Sequence, residues 1–172
     1  MQKLFSPWRS QYIASFLEGA SGKEAGGANC AFCEAFASGD NPESLVIYRG
    51  TLAFVIMNKF PYNSGHLMVL PVRHTGEFGS LTASEHAEMM QLLAASEWAL
   101  QELSRPHGFN LGMNLGRTAG AGIEGHLHWH LVPRWNGDTN FMPVLNDVKV
   151  ISEDMIEQWK RLREIFRRVT QR

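Results

Sequence analysis

Cysteine is nearly absent from this chain: Cys30 and Cys33, in the stretch CAFC, are the only two. One pair cannot make the disulfide framework of a small secreted domain. It leaves three readings open: a metal half-site, a redox motif, or two small buried apolar residues. Net charge is also nearly absent, at −1, which excludes the basic excess of a bulk nucleic-acid binder. No apolar run approaches the ~20 residues that cross a bilayer. The opening stretch MQKLFSPWRSQYIASFLEGA lacks the apolar core of a signal peptide. A cytoplasmic protein is therefore expected, with neither membrane nor bulk nucleic acid as a partner. No internal repeat and no low-complexity tract is found.

What is present suits one globular domain. Of the 172 residues, 44% are hydrophobic and 19% charged, enough to bury a core without staples. Residues 18–30, EGASGKEAGGANC, are rich in glycine and small side chains and read as a mobile linker. They set an N-terminal segment and linker (1–29) apart from a main domain (30–172). Within that segment, SPWRSQYIASFL is expected to dock as a short helix.

Hydrophobic periodicity places the elements of the main domain. SLVIYRG (44–50) and TLAFVIMN (51–58) read as two strands joined by an Arg49-Gly50 turn, and HLMVLPV (66–72) as a third beside them. LTASEHAEMMQLLAASEWALQEL (81–103) is the clearest helix. Thr82 and Glu85 have capping-box spacing, and Met89, Leu92, Leu93, Ser96, Leu100 and Leu103 make one core face. FNLGMNLG (109–116) and HLHWHLVP (126–133) read as a fourth and a fifth strand, separated by the glycine-rich loop RTAGAGIEG. A last helix over 152–169 turns Met155, Trp159, Leu162, Phe166 and Val169 inward and a basic, solvated face outward. Strands with few crossovers and two covering helices predict an α+β domain with a five-stranded, mostly antiparallel sheet.

The fifth strand carries a histidine at every second position: His126, His128 and His130. On a regular strand these share a face, ~6.6 Å apart, with the outer two ~13 Å apart. One metal cannot easily take all three. Leu127, Trp129 and Leu131 fall on the opposite, core face, and an imidazole on the open face adds little to the core. A polar strand face, a metal site on part of the row, and a catalytic row remain as readings. Imidazole titrates near neutral pH, so a row can supply nucleophile, general acid and phosphate ligand. His86 reads as a solvated side chain on the polar side of the long helix, and His107 as a loop residue. Trp135 fits either a subunit contact or a base contact.

HLHWHLV resembles the signature of the histidine triad (HIT) family of nucleotide hydrolases and transferases. MNKFPYNSGHLMVLPVRH (57–74) resembles that family's segment ahead of the triad. HGFNLGMNLGRTAGAG, VPRW and NGDTNFMPVL look most like its diadenosine-tetraphosphate phosphorylase branch. The resemblance covers roughly residues 30–145.

It implies the HIT fold, joined across a homodimer into a ten-stranded sheet. It also implies nucleotidyl transfer or hydrolysis at the α-phosphate of a dinucleoside polyphosphate. His128 attacks, His130 contacts the phosphate and leaving group, His126 orients His128 partly through its carbonyl, and His66 supports the row. No metal enters the chemical step. Asn58 matches the ribose-binding position, eight residues ahead of His66. Ile56 and Phe60 flank it, as border of the base or as core. Asn114, Arg117, Gly120 and Gly122 belong to the run that wraps phosphate. There the chain has Ala121-Gly122-Ile123 where many members carry Gly-Gln-Ser/Thr, leaving more of the contact to backbone amides. Some bacterial members bind a structural zinc through two cysteines and two histidines, and the resemblance implies the same for Cys30, Cys33, His74 and His126 here.

The resemblance favours phosphorolysis of diadenosine tetraphosphate. Hydrolysis of that compound or of a nucleoside phosphoramidate is the alternative, and a low-turnover nucleotide-binding regulator the rival from another class.

Overall fold

The computed structural model describes residues 30–138 and 154–170. The expected N-terminal helix within 1–29 and the tail stretch from 139 lie outside the described residues. Helix α1 spans Ala31–Ala37, with Cys30 at its N-cap. Strands β1 (Val46–Arg49), β2 (Ala53–Met57) and β3 (Leu67–Pro71) follow, then helix α2 (Ala83–Ser104). Strands β4 (Gly108–Met113) and β5 (Trp129–Arg134) and helix α3 (Met155–Val169) complete the order. All neighbouring strands run antiparallel, in the order β1-β2-β3-β5-β4. This is the α+β arrangement expected.

β2 and β3 are continuous apolar runs, AFVIM and LMVLP, and every residue in them is buried. A strand without polar alternation needs cover on both faces. Phe36 of α1 packs its ring on Phe54, so α1 covers one face. The alternate set, Val55, Val69 and Leu131, is fully buried on the other, beneath α2. Helix α2 buries Met89, Leu92, Leu93, Ser96 and Leu100, with Leu103 half-buried at the margin. Helix α3 adds Trp159, Leu162, Phe166 and also Ile165, and its indole Trp159 Nε1 donates to the Val46 carbonyl at 2.9 Å.

Two polar devices hold this core to the site. The α2 capping box forms as predicted: Thr82 Oγ1 accepts from Glu85 N–H, and Glu85 Oε2 accepts from Thr82 N–H at 2.7 Å. Arg73, just past β3, grips the same carboxylate with two bonds of 3.0 Å. At the other end, Gln158 of α3 accepts from Gly65 N–H at 3.2 Å and donates to Ser64 Oγ at 3.1 Å. Gly65 has φ +75°, and a Cβ there would come within 2.9 Å of Leu100. Only glycine fits that approach.

The Arg73 guanidinium and the Thr82 amide hold Glu85 down to about 2. The folded state therefore gains from an ionised Glu85 above the ordinary carboxylate range, and loses that gain as pH falls toward 2. Glu85→Gln should lower stability by about 1–2 kcal/mol at pH 7, discounted because Arg73 is half in solvent. Urea unfolding should show the gap between variant and wild type closing between about pH 4.5 and pH 2.

Candidate functional site

β5 starts at Trp129, so of the three histidines only His130 lies on the regular strand. This corrects the expected strand over 126–133 and its evenly spaced open row. The segment before β5 is tied sideways instead: Leu127 N–H donates to the Thr75 carbonyl at 2.8 Å. His126 and His128 are buried, at 0% and 5% exposure, not on an open face. The covering group is Phe32 of α1, whose ring lies 5.7 Å from His126 and 5.2 Å from His128. Residue Phe32 lies between the two cysteines, and nothing in its spacing marks it as part of this site.

Backbone partners fix the tautomers of the cluster. The His126 carbonyl can only accept, so the 2.9 Å contact to His128 Nδ1 places a proton on Nδ1. A neutral His128 then presents Nε2 as a bare lone pair. Burial holds its pKa below the ordinary range and keeps the ring neutral. On the other branch Tyr62 N–H donates to His66 Nδ1 at 3.1 Å, with the Asn58 amide 3.3 Å from the same atom. His66 therefore carries its proton on Nε2 and donates it to His130 Nδ1 at 3.0 Å. In a neutral His130 the remaining proton sits on Nε2. His128 and His130, with ring centroids 4.9 Å apart, thus offer a lone pair and a proton side by side.

His126 faces the other way. Its Nε2–H donates to the Pro71 carbonyl at 2.8 Å, which leaves Nδ1 as a ligand atom. That atom lies 3.4 Å from Cys30 Sγ and 3.5 Å from Cys33 Sγ, and His74 Nδ1 is 3.5 Å from Cys33 Sγ. All four donor atoms fall within 4.8 Å of one another. Sulfur and nitrogen ligands on one tetrahedral ion sit about 3.5 Å apart, from bond lengths of about 2.3 and 2.0 Å. The four residues can therefore hold a metal ion, with the Pro71 carbonyl as the outer partner that orients a ligating imidazole. Burial, and then Cys30, pushes the Cys33 thiol up to about 11. Burial likewise pushes His126 down to about 4.

The remaining candidates lie at the C-terminal end of β2 and in the stretch between β4 and β5. Asn58 is half-buried at the end of β2, its Oδ1 accepting from Phe60 N–H at 2.9 Å. Ile56 is buried at 5% exposure, and Phe60 stands out at 54%. Asn114 Nδ2 reaches the Gly120 carbonyl at 3.4 Å, and Gly120 takes φ +94° at the end of a short 3-10 turn. Gly122 is exposed in a bend. Arg117 is paired with Glu124 at 3.2 Å and is largely exposed. Two groups with no sequence signal also converge here. Tyr62 packs its ring on His66 and His130, and Asp138 binds Asn63 and Arg134 together.

Residues 40–137 match the family described as the HIT domain. The chain belongs to the HIT domain family. This HIT chain is 39% identical over 162 residues to a Mycobacterium tuberculosis protein named AP-4-A phosphorylase, spanning 94% of this chain and 82% of that one. It is 28% identical over 95 residues, 55% of this chain and 52% of the other, to a bis(5'-nucleosyl)-tetraphosphatase (asymmetrical) of Schizosaccharomyces pombe. A Zn-bound histidine triad family protein from Mycobacterium smegmatis superposes with a TM-score of 0.66 at 25% identity, covering 85% of this chain and 99% of that one. No helix among the described residues is long and apolar enough to cross a membrane.

The tautomers are directly measurable. Long-range nitrogen-15 NMR of the histidine rings at pH 7 should find His128 protonated on Nδ1, and His66 and His130 protonated on Nε2. A proton on His128 Nε2 would refute the assignment.

Proposed function

We propose that this HIT protein transfers a nucleotidyl group from a dinucleoside polyphosphate through a histidine-bound intermediate, with diadenosine tetraphosphate as donor and inorganic phosphate as acceptor. The observation that carries it is the His128 Nδ1–H bond to the His126 carbonyl, which leaves a bare Nε2 beside His130. The 39% identity to a protein named AP-4-A phosphorylase supports this donor and acceptor.

The chemistry follows from the tautomers. His128 Nε2 attacks the α-phosphorus, and a P–N bond forms as the P–O bond to the leaving nucleotide breaks. The leaving oxygen takes its proton from His130 Nε2, and His66 sustains that donor through its bond to His130 Nδ1. ATP departs. A phosphate oxygen then attacks the same phosphorus, the P–N bond breaks, and ADP is released. Splitting one displacement into two is the gain of covalent catalysis. His126 acts through its carbonyl and needs no charge of its own. Asn58 takes the ribose hydroxyls, with Ile56 and Phe60 bordering the base. Asn114, Arg117, Gly120 and Gly122 supply the phosphate-wrapping side.

We also assign a structural zinc to Cys30, Cys33, His74 and His126, since the ligand spacing fits and the outer partner is in place. Zinc there holds the backbone from which the nucleophile is oriented and takes no part in the transfer. Residues 30–172 act as one domain behind a segment and linker at 1–29. The protein works as a cytoplasmic homodimer with adenine dinucleotides as its ligands, without membrane or bulk nucleic acid. β4 is one of the two edge strands of the described sheet and leaves Leu111 53% exposed, an edge that a second copy can extend.

Diadenosine tetraphosphate should be cleaved to ATP and ADP only when phosphate is added, as read by product chromatography. AMP and ATP formed without phosphate would make the protein a hydrolase, and nucleotide binding without cleavage would make it a regulator. His128→Ala should abolish the covalent adenylyl-protein trapped with labelled donor. Because this imidazole is buried, the same change should also cost about 1–3 kcal/mol of stability. Metal analysis of protein prepared without chelator should give about one zinc per chain, and Cys33→Ser should remove most of it.

A further inference from the structure

His66, just ahead of β3, and the triad histidines at the start of β5 divide the site face into two sides. Asn58 and Ile56 lie on the β2 side. On the β4 side a cavity of about 440 Å³ opens at His130 and runs along β5 to Arg134. It is within the range of small-molecule sites, roughly 300–1,000 Å³. Its walls include Tyr62, Asn110, Gly112, Asn114 and Arg134. Strand register explains the grouping: Gly112 pairs with His130, Asn110 with Val132 and Gly108 with Arg134, so these positions share one face.

Gly112 is the informative position. A Cβ built there meets nothing within 4 Å, so packing does not require glycine. Its missing side chain keeps open the floor next to His130. The far wall is held in place rather than loose. Asp138 binds Arg134 through two bonds of 2.6 and 2.9 Å, and Arg134 donates to Asn110 Oδ1 at 2.8 Å. With Oδ1 engaged by Arg134, the donor group of Asn110 is its amide N–H₂. Asp138 offsets the Arg134 charge, so the wall is polar without being a strong trap for free phosphate. Amides and a pinned guanidinium suit the hydroxyls and base edges of a nucleotide, and the half-exposed Tyr62 ring offers an apolar surface.

We infer that this β4–β5 cavity holds the leaving nucleotide of the donor, with Gly112 as the residue that keeps it open and Asn110 and Arg134 as its contacts. The inference rests on the transfer reaction proposed above, and it places the two halves of one donor on opposite sides of the reacting phosphorus.

Two donors separate the subsite from the chemistry: diadenosine tetraphosphate, whose leaving group is a nucleotide, and adenosine 5′-phosphoramidate, whose leaving group is ammonia. The readout is the ratio of kcat/KM for the first over the second. Gly112→Val fills the floor with a strand-favouring side chain and should lower that ratio about tenfold or more. Asn110→Leu should lower it in the same direction and gives the answer should Gly112→Val not fold. A ratio unchanged in the folded variants, including an equal fall with both donors, would overturn the subsite alone. Wild-type protein that cleaves neither donor would overturn the transfer reaction and the subsite with it.

Discussion

One residue is held at both ends, and the site depends on it. The ring of His126 is fixed between two thiols and the Pro71 carbonyl, while its own carbonyl receives the Nδ1 proton of His128. A carbonyl cannot exchange roles with a donor, so this contact decides which nitrogen of His128 is bare. Moving His126 would rotate the carbonyl and release that choice. Cysteines close to residue 30 therefore act on a nucleophile at residue 128 through a backbone atom. The second anchor is of the same kind. Tyr62 N–H, a donor that cannot reverse, sets His66 and through it His130. Two main-chain groups thus give two neighbouring imidazoles opposite functions.

Burial is the other half of that arrangement. An imidazole in water exchanges tautomers and protonates near neutral pH. Phe32 covers His126 and His128, which disfavours the charged ring and excludes water from competing for the bonds that orient it. The cost is offset by one strong backbone partner for each ring, on Nε2 of His126 and on Nδ1 of His128. A row on an open strand face would have lacked that selectivity.

Much of this was legible from residue types. Thr82 with Glu85 announced the start of α2, and the apolar runs of β2 and β3 announced two central strands, because local spacing alone generates those signals. The alternating histidines and the CAFC pair marked the residues that converge, since few other positions carry such side chains. What the spacing misplaced was the start of β5. Alternation continues through His126, yet Leu127 bonds to Thr75 instead of to a neighbouring strand, a long-range choice that leaves no local trace. Helix α1 was missed because CAFCEAFA has too short an apolar pattern to show a period. Asp138 meets Asn63, Tyr62 meets His130 and Arg73 meets Glu85 only through folding, so their residue types say nothing of those contacts beforehand.

The contact between Gln158 and the Ser64–Gly65 turn has a consequence in time. That turn leads directly into His66, so the support of the histidine pair is finished by a helix 93 positions later in the chain. During synthesis the strands and α2 emerge well before α3. A nascent chain can thus pair its sheet while the loop under His66 still lacks its clamp. Competence comes as one late event, and a partly made copy has the nucleophile's residues without the frame that gives them direction.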